Sequence, residues 1–247
     1  MNYSYKANYN TVKGSLHINN GLPCQDKTYY LKNNGLNIMV LADGAGSAKF
    51  SDKGAKEVVK TTANFLNKNF EKIYKARNNK KNKVHLIKSL HKKILSIKLK
   101  KHDIKDYAST LLFLATYKNK YLVGHLGDGA IAIKRGKKIS LLSNPENGES
   151  ENETFFFTSK NATEKLRIKK GKINKNLSFA LMSDGAYDCV FDKKSKKFAN
   201  ALYRFLDWTQ SENENDVTKA IKTNIVKHFY EKTLDDISLA ILDISID

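Results

Sequence analysis

The stretch Ser109–Leu142 reads STLLFLATYKNKYLVGHLGDGAIAIKRGKKISLL. It sets short β-type runs one after another: Ser109 to Tyr117, Tyr121 to Leu126, Ala130 to Lys134 and Lys138 to Leu142. Turn signals join them, Lys118-Asn119 and Arg135-Gly136 among them. No helix-length segment intervenes, so these strands are expected to pair antiparallel and not in βαβ alternation.

The flanking sequence agrees. The first forty residues read as short strands, with Asn33-Asn34-Gly35 as a hairpin turn between Tyr29 to Leu31 and Leu36 to Ala42. Ala55, Val58, Val59, Thr62, Phe65, Leu66 and Ile73 recur at helical spacing, which predicts a helix from about Ser51 to Arg77 capped by Ser51. Val84, Ile87, Leu90, Ile94 and Ile97 predict a second, from Val84 to Lys100. Beyond a polar loop from Ser143 to Glu153, strand-like runs cover Thr154 to Thr158 and Leu177 to Ser183. Helices are expected over Lys197 to Trp208 and Asp216 to Tyr230, with a closing strand at Ile237 to Ile244. Strands in succession and helices in pairs predict an α+β fold, an antiparallel β-sandwich flanked by helix pairs in four layers. No Pro-, Gly- or Ser-rich linker and no repeat divides residues 1–247, so a single domain is expected.

Composition bounds the function. With 40% hydrophobic and 10% aromatic residues, the chain can build a core. Its apolar runs, such as Leu111 to Ala115, are too short to span a bilayer, and its first twenty residues lack a signal-peptide core. A cytoplasmic protein without membrane contact is expected. Cys24 and Cys189 make neither a disulfide framework nor a zinc site by themselves. The net charge of +19 suggests a polyanion partner. Yet 40 of the 44 basic residues are Lys and only four are Arg, and 25 Asn accompany them. Arg forks are scarce and the lysines are spread along the chain, so AT-rich codon bias explains the charge better than a specific nucleic-acid reader.

Chemistry concentrates at strand ends. Asp43-Gly44, Asp128-Gly129 and Asp184-Gly185 each flank a predicted strand, Asp235-Asp236 opens the last one, and Asp26 precedes an early one. A short carboxylate at a strand end is well positioned, and a following Gly lets the backbone turn and its carbonyl approach an ion. Gathered acids repel one another and call for a cation. Oxygen-only ligation suits Mg2+ or Mn2+. A pair of such ions roughly 3.5–4 Å apart can activate a water and clamp a phosphate. Taken singly, each Asp-Gly pair is an ordinary turn.

Six segments in order resemble the metal-dependent Ser/Thr protein phosphatases of type 2C. They are Gln25-Asp26, Val40 to Gly46 (VLADGAG), Ala108-Ser109-Thr110, Gly127-Asp128-Gly129, Ser183 to Asp188 (SDGAYD) and Asp235 to Ser238 (DDIS). Gly21 to Asp26 (GLPCQD) and Pro145 to Thr154 (PENGESENET) are similar to a bacterial subgroup. The resemblance implies the αββα sandwich and direct hydrolysis of phosphoserine or phosphothreonine in proteins by a water held between two Mn2+ or Mg2+ ions, with no phosphoenzyme. By position, Asp43 would bridge the metals and the Gly44 carbonyl would bind one. Asp184 and Asp235 would hold the other. Asp26 and Thr110 would hydrogen-bond metal-bound waters, and Asp128 would join Asp184 at a third, weaker site. Proteins phosphorylated by a Ser/Thr kinase would be the substrates.

The departures bear on mechanism. Where many members carry an Arg that holds the substrate phosphate, five residues before the first Asp, this chain has Gly21. His17, nearby in sequence, could bind phosphate or protonate the leaving alkoxide, or it could be a structural histidine. Ala108 replaces a common Gly, Gln25 replaces a frequent Glu, and Asp236 is given no ligand role. Two other functions stay open at this stage: a non-catalytic phosphoprotein-binding module, and a basic nucleic-acid-binding protein.

Overall fold

A computed structural model describes residues 2–146 and 154–246. Two five-stranded antiparallel sheets form its centre. The first orders its strands β1 (Tyr3–Val12), β12 (Ile237–Ile246), β9 (Leu177–Met182), β6 (Ala130–Arg135) and β7 (Lys138–Ser143). The second orders β2 (Lys27–Asn33), β3 (Leu36–Ala42), β4 (Leu111–Tyr117), β5 (Lys120–Leu126) and β8 (Arg167–Lys172). A small ribbon pairs β10 (Phe191–Asp192) with β11 (Lys197–Phe198).

The unbroken apolar run of β4 follows from burial on both faces. Leu111, Phe113 and Ala115 point to the helices α2 (Ser51–Lys75) and α3 (Lys80–Ile97). Leu112 and Leu114 point to the other sheet, where they meet Ile131, Phe179, Leu181 and Leu242. On the far side, α6 (Asn200–Ser211) and α7 (Glu214–Asn224) cover the first sheet through Leu202, Phe205, Leu206, Val217 and Ile221. The order helix pair, sheet, sheet, helix pair is the expected four-layer α+β sandwich.

Several local expectations need correction. Ser51 does not cap α2. It is the first helical residue, its hydroxyl buried without a hydrogen-bond partner among the described residues. The second helix starts four residues earlier than expected and stops at Ile97, where Lys98 turns extended. Residues 155–158 form no strand. Instead the three phenylalanines diverge: Phe157 is fully buried in the helix-side core, while Phe156 packs against Ala45, Ala48 and Ala108. The sequence reading missed α1 (Ser15–Asn19), β8 and α5 (Asp184–Val190). The Asn147-Gly148 loop and most of the PENGESENET stretch lie outside the described residues. No helix among the described residues is long and apolar enough to cross a membrane.

Candidate metal centre

Strand register brings the acids together. Lys27 pairs with Ala42, Leu41 with Leu112, and Leu111 with Leu126. In the other sheet, Ala130 pairs with Met182, Met182 with Leu239, and Val12 with Ile237. The segments just beyond these pairs therefore emerge at one end of the sandwich. They are residues 25–26, 43–47, 109–110, 127–129, 183–185 and 235–236.

Backbone bonds lock them. The Asp43 N–H donates to Thr110 Oγ1 at 2.9 Å, and the Thr110 N–H donates back to the Asp43 carbonyl at 2.8 Å. Gly44 bridges to Ser109. A Cβ on Gly44 would lie 2.8 Å from Ser51 Cβ and 3.0 Å from the Gln25 carbonyl, so only glycine fits this packing. The Ser183 N–H donates to the Ser238 carbonyl and the Ser238 N–H to Ser183 Oγ, each at 3.0 Å. This sets Asp184 beside Asp235 and Asp236.

The result is a cleft of about 360 Å³ lined by Asp43, Asp128, Asp184 and Asp235, with Gln25, Gly44 to Ser47, Thr110, Thr154 and Phe156 completing its walls. One carboxylate oxygen from each of Asp43, Asp128 and Asp184 lies within 4.8 Å of the others. Thr154 Oγ1 donates to Asp128 Oδ2. Asp235 lies on the same wall, with its Oδ1 accepting the Asp236 N–H at 2.8 Å.

Asp26, Asp43, Asp128 and Asp184 are shifted toward their protonated forms. Burial first, then the charges of Asp26 and Asp184, pushes Asp43 well above the usual carboxylate range. Burial and Asp128 push Asp184 up to about 6. Burial also raises Asp128. Asp26 is completely buried, and burial followed by the charge of Asp236 pushes it up to about 8. Neither Asp26 oxygen has a hydrogen-bond partner among the described residues. A carboxylate left this way beneath three others is unfavourable unless positive charge sits nearby. The donor set is entirely oxygen, which fits a hard divalent cation.

The remaining sequence candidates take different places around the cleft. Asp26 lies beneath the cleft and does not line it. Thr110 does line it, but its hydroxyl is engaged by the Asp43 backbone. Asp128, expected beside Asp184 at a third, weaker site, stands with Asp184 and Asp43 in the trio. His17 is 6% exposed and does not line the cleft, its Nδ1 2.9 Å from Asp236 Oδ1 but off the hydrogen-bonding direction. Burial works against the Asp236 charge. The backbone N–H groups of Gly14 and Gln25, at 2.7 and 2.6 Å, together with His17 outweigh it and hold this acid below the usual range. Sequence reasoning missed Ser47, Thr154 and Phe156. Ser47 follows directly on the Val40 to Gly46 motif and Thr154 closes the Pro145 to Thr154 stretch, so both could have been found from those segments; Phe156 gave no such signal.

Comparison with known proteins fits this geometry. The family model described as protein phosphatase 2C matches residues 13–225. Serine/threonine-protein phosphatase 3 of Escherichia coli is 25% identical over 169 residues, covering 66% of each chain. The catalytic domain of the phosphatase PstP, solved in complex with two manganese ions, superposes with a TM-score of 0.69 at 12% identity, over 99% of this chain and 100% of that one. PppA of Pseudomonas aeruginosa gives a TM-score of 0.67 at 16% identity, over 98% of this chain and 99% of that one. At such identities the structural likeness is one of fold, whereas the family model spans most of the sequence. The chain belongs to the protein phosphatase 2C family.

Proposed function

We propose that this protein hydrolyses phosphoserine and phosphothreonine in proteins, using Mn2+ or Mg2+ held by Asp43, the Gly44 carbonyl, Asp184 and Asp235, with Asp128 at the same cluster. The observation that carries this reading is the convergence of Asp43, Asp128 and Asp184 oxygens within 4.8 Å at the floor of an open cleft. The manganese pair in PstP supports the same chemistry here. Divalent ions bound at these oxygens would stabilise charge on the transferring phosphoryl group and lower the pKa of an attacking water.

The chain's own residues set the rest. No Lys, Arg or His lines the cleft among the described residues. The phosphate charge must therefore be met by bound cations, with hydroxyls such as Ser47 as neutral partners. Gly21, where an Arg was absent from sequence, is exposed with open space around it and offers no substitute. Asp26, packed below Asp43 and pushed up to about 8 without a cation, would give up its proton more readily beside one. Phe156 forms an apolar wall that shields one side of the cleft from water. A kinase-phosphorylated protein segment is the fitting substrate, and membership of the family supports it.

Hydrolysis of p-nitrophenyl phosphate and of a phosphothreonine peptide, with and without Mn2+, tests this. Wild type should turn over only with metal, and Asp43→Asn and Asp184→Asn should each lose at least about a hundredfold in rate. Equal rates in all samples would end the proposal. Phosphopeptide binding without turnover would favour the non-catalytic reading that the missing Arg suggests.

A further inference from the structure

A second groove lies away from the acidic cleft and shares no lining residue with it. It holds about 990 Å³. One wall is Lys138 to Leu141 of β7, and the other is the β10–β11 ribbon with Phe191, Lys197 and Phe198. Tyr187 of α5 and Tyr203 of α6 form its floor.

β7 is the outer strand of its sheet, so its far edge has no strand beside it among the described residues. The two-residue turn Gly136-Lys137 makes Arg135 and Lys138 the closing hydrogen-bonded pair. Bonding alternates along an antiparallel ladder, which leaves the N–H and C=O of Ile139 and Leu141 facing the groove. The opposite wall is aromatic. Tyr187 and Phe191 stack at 4.9 Å between centroids, and Phe191 meets Phe198 edge-on at 4.9 Å. Around the rim stand Lys137, Lys138, Lys193, Lys196 and Lys197, and among the described residues no carboxylate lines the groove. Among the described residues only Lys193 of these has an acidic partner, Asp188 at 2.8 Å, and both side chains are at least half exposed.

We propose that this groove docks an extended acidic segment of a partner protein, which adds to β7 as a further strand. Main-chain bonds to Ile139 and Leu141 would fix its register, and alternate side chains would meet the aromatic wall and the lysines. The charge decides the occupant. A second copy of this chain would bring its own lysine-rich edge against these and be repelled, which is how edge lysines normally prevent self-pairing. An acidic strand meets the opposite condition. The proposal requires neither metal nor turnover, so it stands or falls separately from the phosphatase reading.

The test is fluorescence anisotropy of a fluorescein-labelled peptide of alternating Glu and Val, titrated with the metal-free full chain. Binding should weaken at least about tenfold in Lys138→Glu/Lys193→Glu/Lys197→Glu and by a smaller factor in the matching Gln variant, with unchanged circular dichroism. Asp43→Asn should bind like wild type. The same peptide N-methylated on alternate backbone nitrogens should lose binding, because it cannot pair with an edge. Undiminished binding by the methylated peptide or by the triple variant would overturn the proposal. So would loss of binding in Asp43→Asn, or equal displacement by a DNA duplex of the same charge.

Discussion

A side chain at position 44 has no room, because Ser51 and Gln25 already occupy the space where its Cβ would stand. Gly44→Ala should therefore push α2 from the cleft and cost about 1–3 kcal/mol in a urea melt. A melt matching wild type would show that the loop relaxes freely. Asp26 makes the opposite prediction. Its carboxyl has an ordinary pKa of 3.8 and is pushed up to about 8 in the fold. The folded state thus holds its proton more tightly than the unfolded chain, so stability present at low pH is lost as pH rises from about 4 through 8. Metal-free Asp26→Asn should melt a few degrees above metal-free wild type at pH 8 and close to it at pH 5; a lower melt at pH 8 would refute the buried-charge account. Much at this scale was legible in sequence, because an Asp followed by Gly at a strand end announces its own position. What an oxygen faces was not legible. Asp26 reads like the other acids but lies under them, and His17, open in sequence to a phosphate-binding or a structural role, sits against Asp236. These outcomes depend on neighbours 200 or so residues away along the chain.

Elements were legible where one pattern held over a full length. The face of α2 with Ala55, Val58, Val59 and Leu66 is buried as its spacing requires. The hairpin turn sits at Asn34-Gly35, with φ of 47° and 79°. Short or polar elements were not legible. β8 is an edge strand reading RIKKGK, with lysines where alternation would show apolar residues. α5 begins on the Asp184-Gly185 pair that reads as a turn. One element carries its own pH dependence. His125 of β5 is 1% exposed, with Nδ1 2.9 Å from Ser143 Oγ and 3.0 Å from an Arg167 nitrogen. Burial first, then the Arg167 charge, pushes it down to about 3 from the ordinary 6.5. The folded state here binds fewer protons than the unfolded chain, so stability present above pH 6.5 is lost as pH falls towards 3, by at most about 1.4 kcal/mol per pH unit. His125→Gln should flatten this acid limb in urea titrations between pH 6.5 and 4, and an unchanged slope would move the cause elsewhere. Arg167 also bonds the Asn144 carbonyl at 2.7 Å and pairs with Glu146 at 3.2 Å. The Glu146 N–H in turn reaches the Gly127 carbonyl at 3.0 Å, so the same cluster steadies the loop that presents Asp128.

At the scale of the molecule, both sheets contribute to one inner layer, with Met39, Leu112 and Val123 from one meeting Ile131, Phe179 and Leu242 from the other. The same packing holds the acids of the two sheets across from each other: Asp43 stands on one sheet, Asp184 and Asp235 on the other. Cation binding must then resist separation of the sheets, because a ligand held only by the folded state stabilises it by mass action. At a metal concentration about a hundredfold above Kd, the gain is about 2.7 kcal/mol. For a chain of this size that corresponds to a rise in Tm of roughly 5–10 °C. Calorimetry of chelator-treated protein should accordingly show one transition that moves upward with added Mn2+, because neither sheet keeps its inner face covered once the other has left. Asp43→Asn should abolish most of the shift without lowering the metal-free Tm, since removing a repelled carboxylate relieves the cluster. A second transition that ignores Mn2+ would mean that one sheet unfolds independently of the site. An Mn2+ shift undiminished in Asp43→Asn would place the stabilising ion away from the sandwich end.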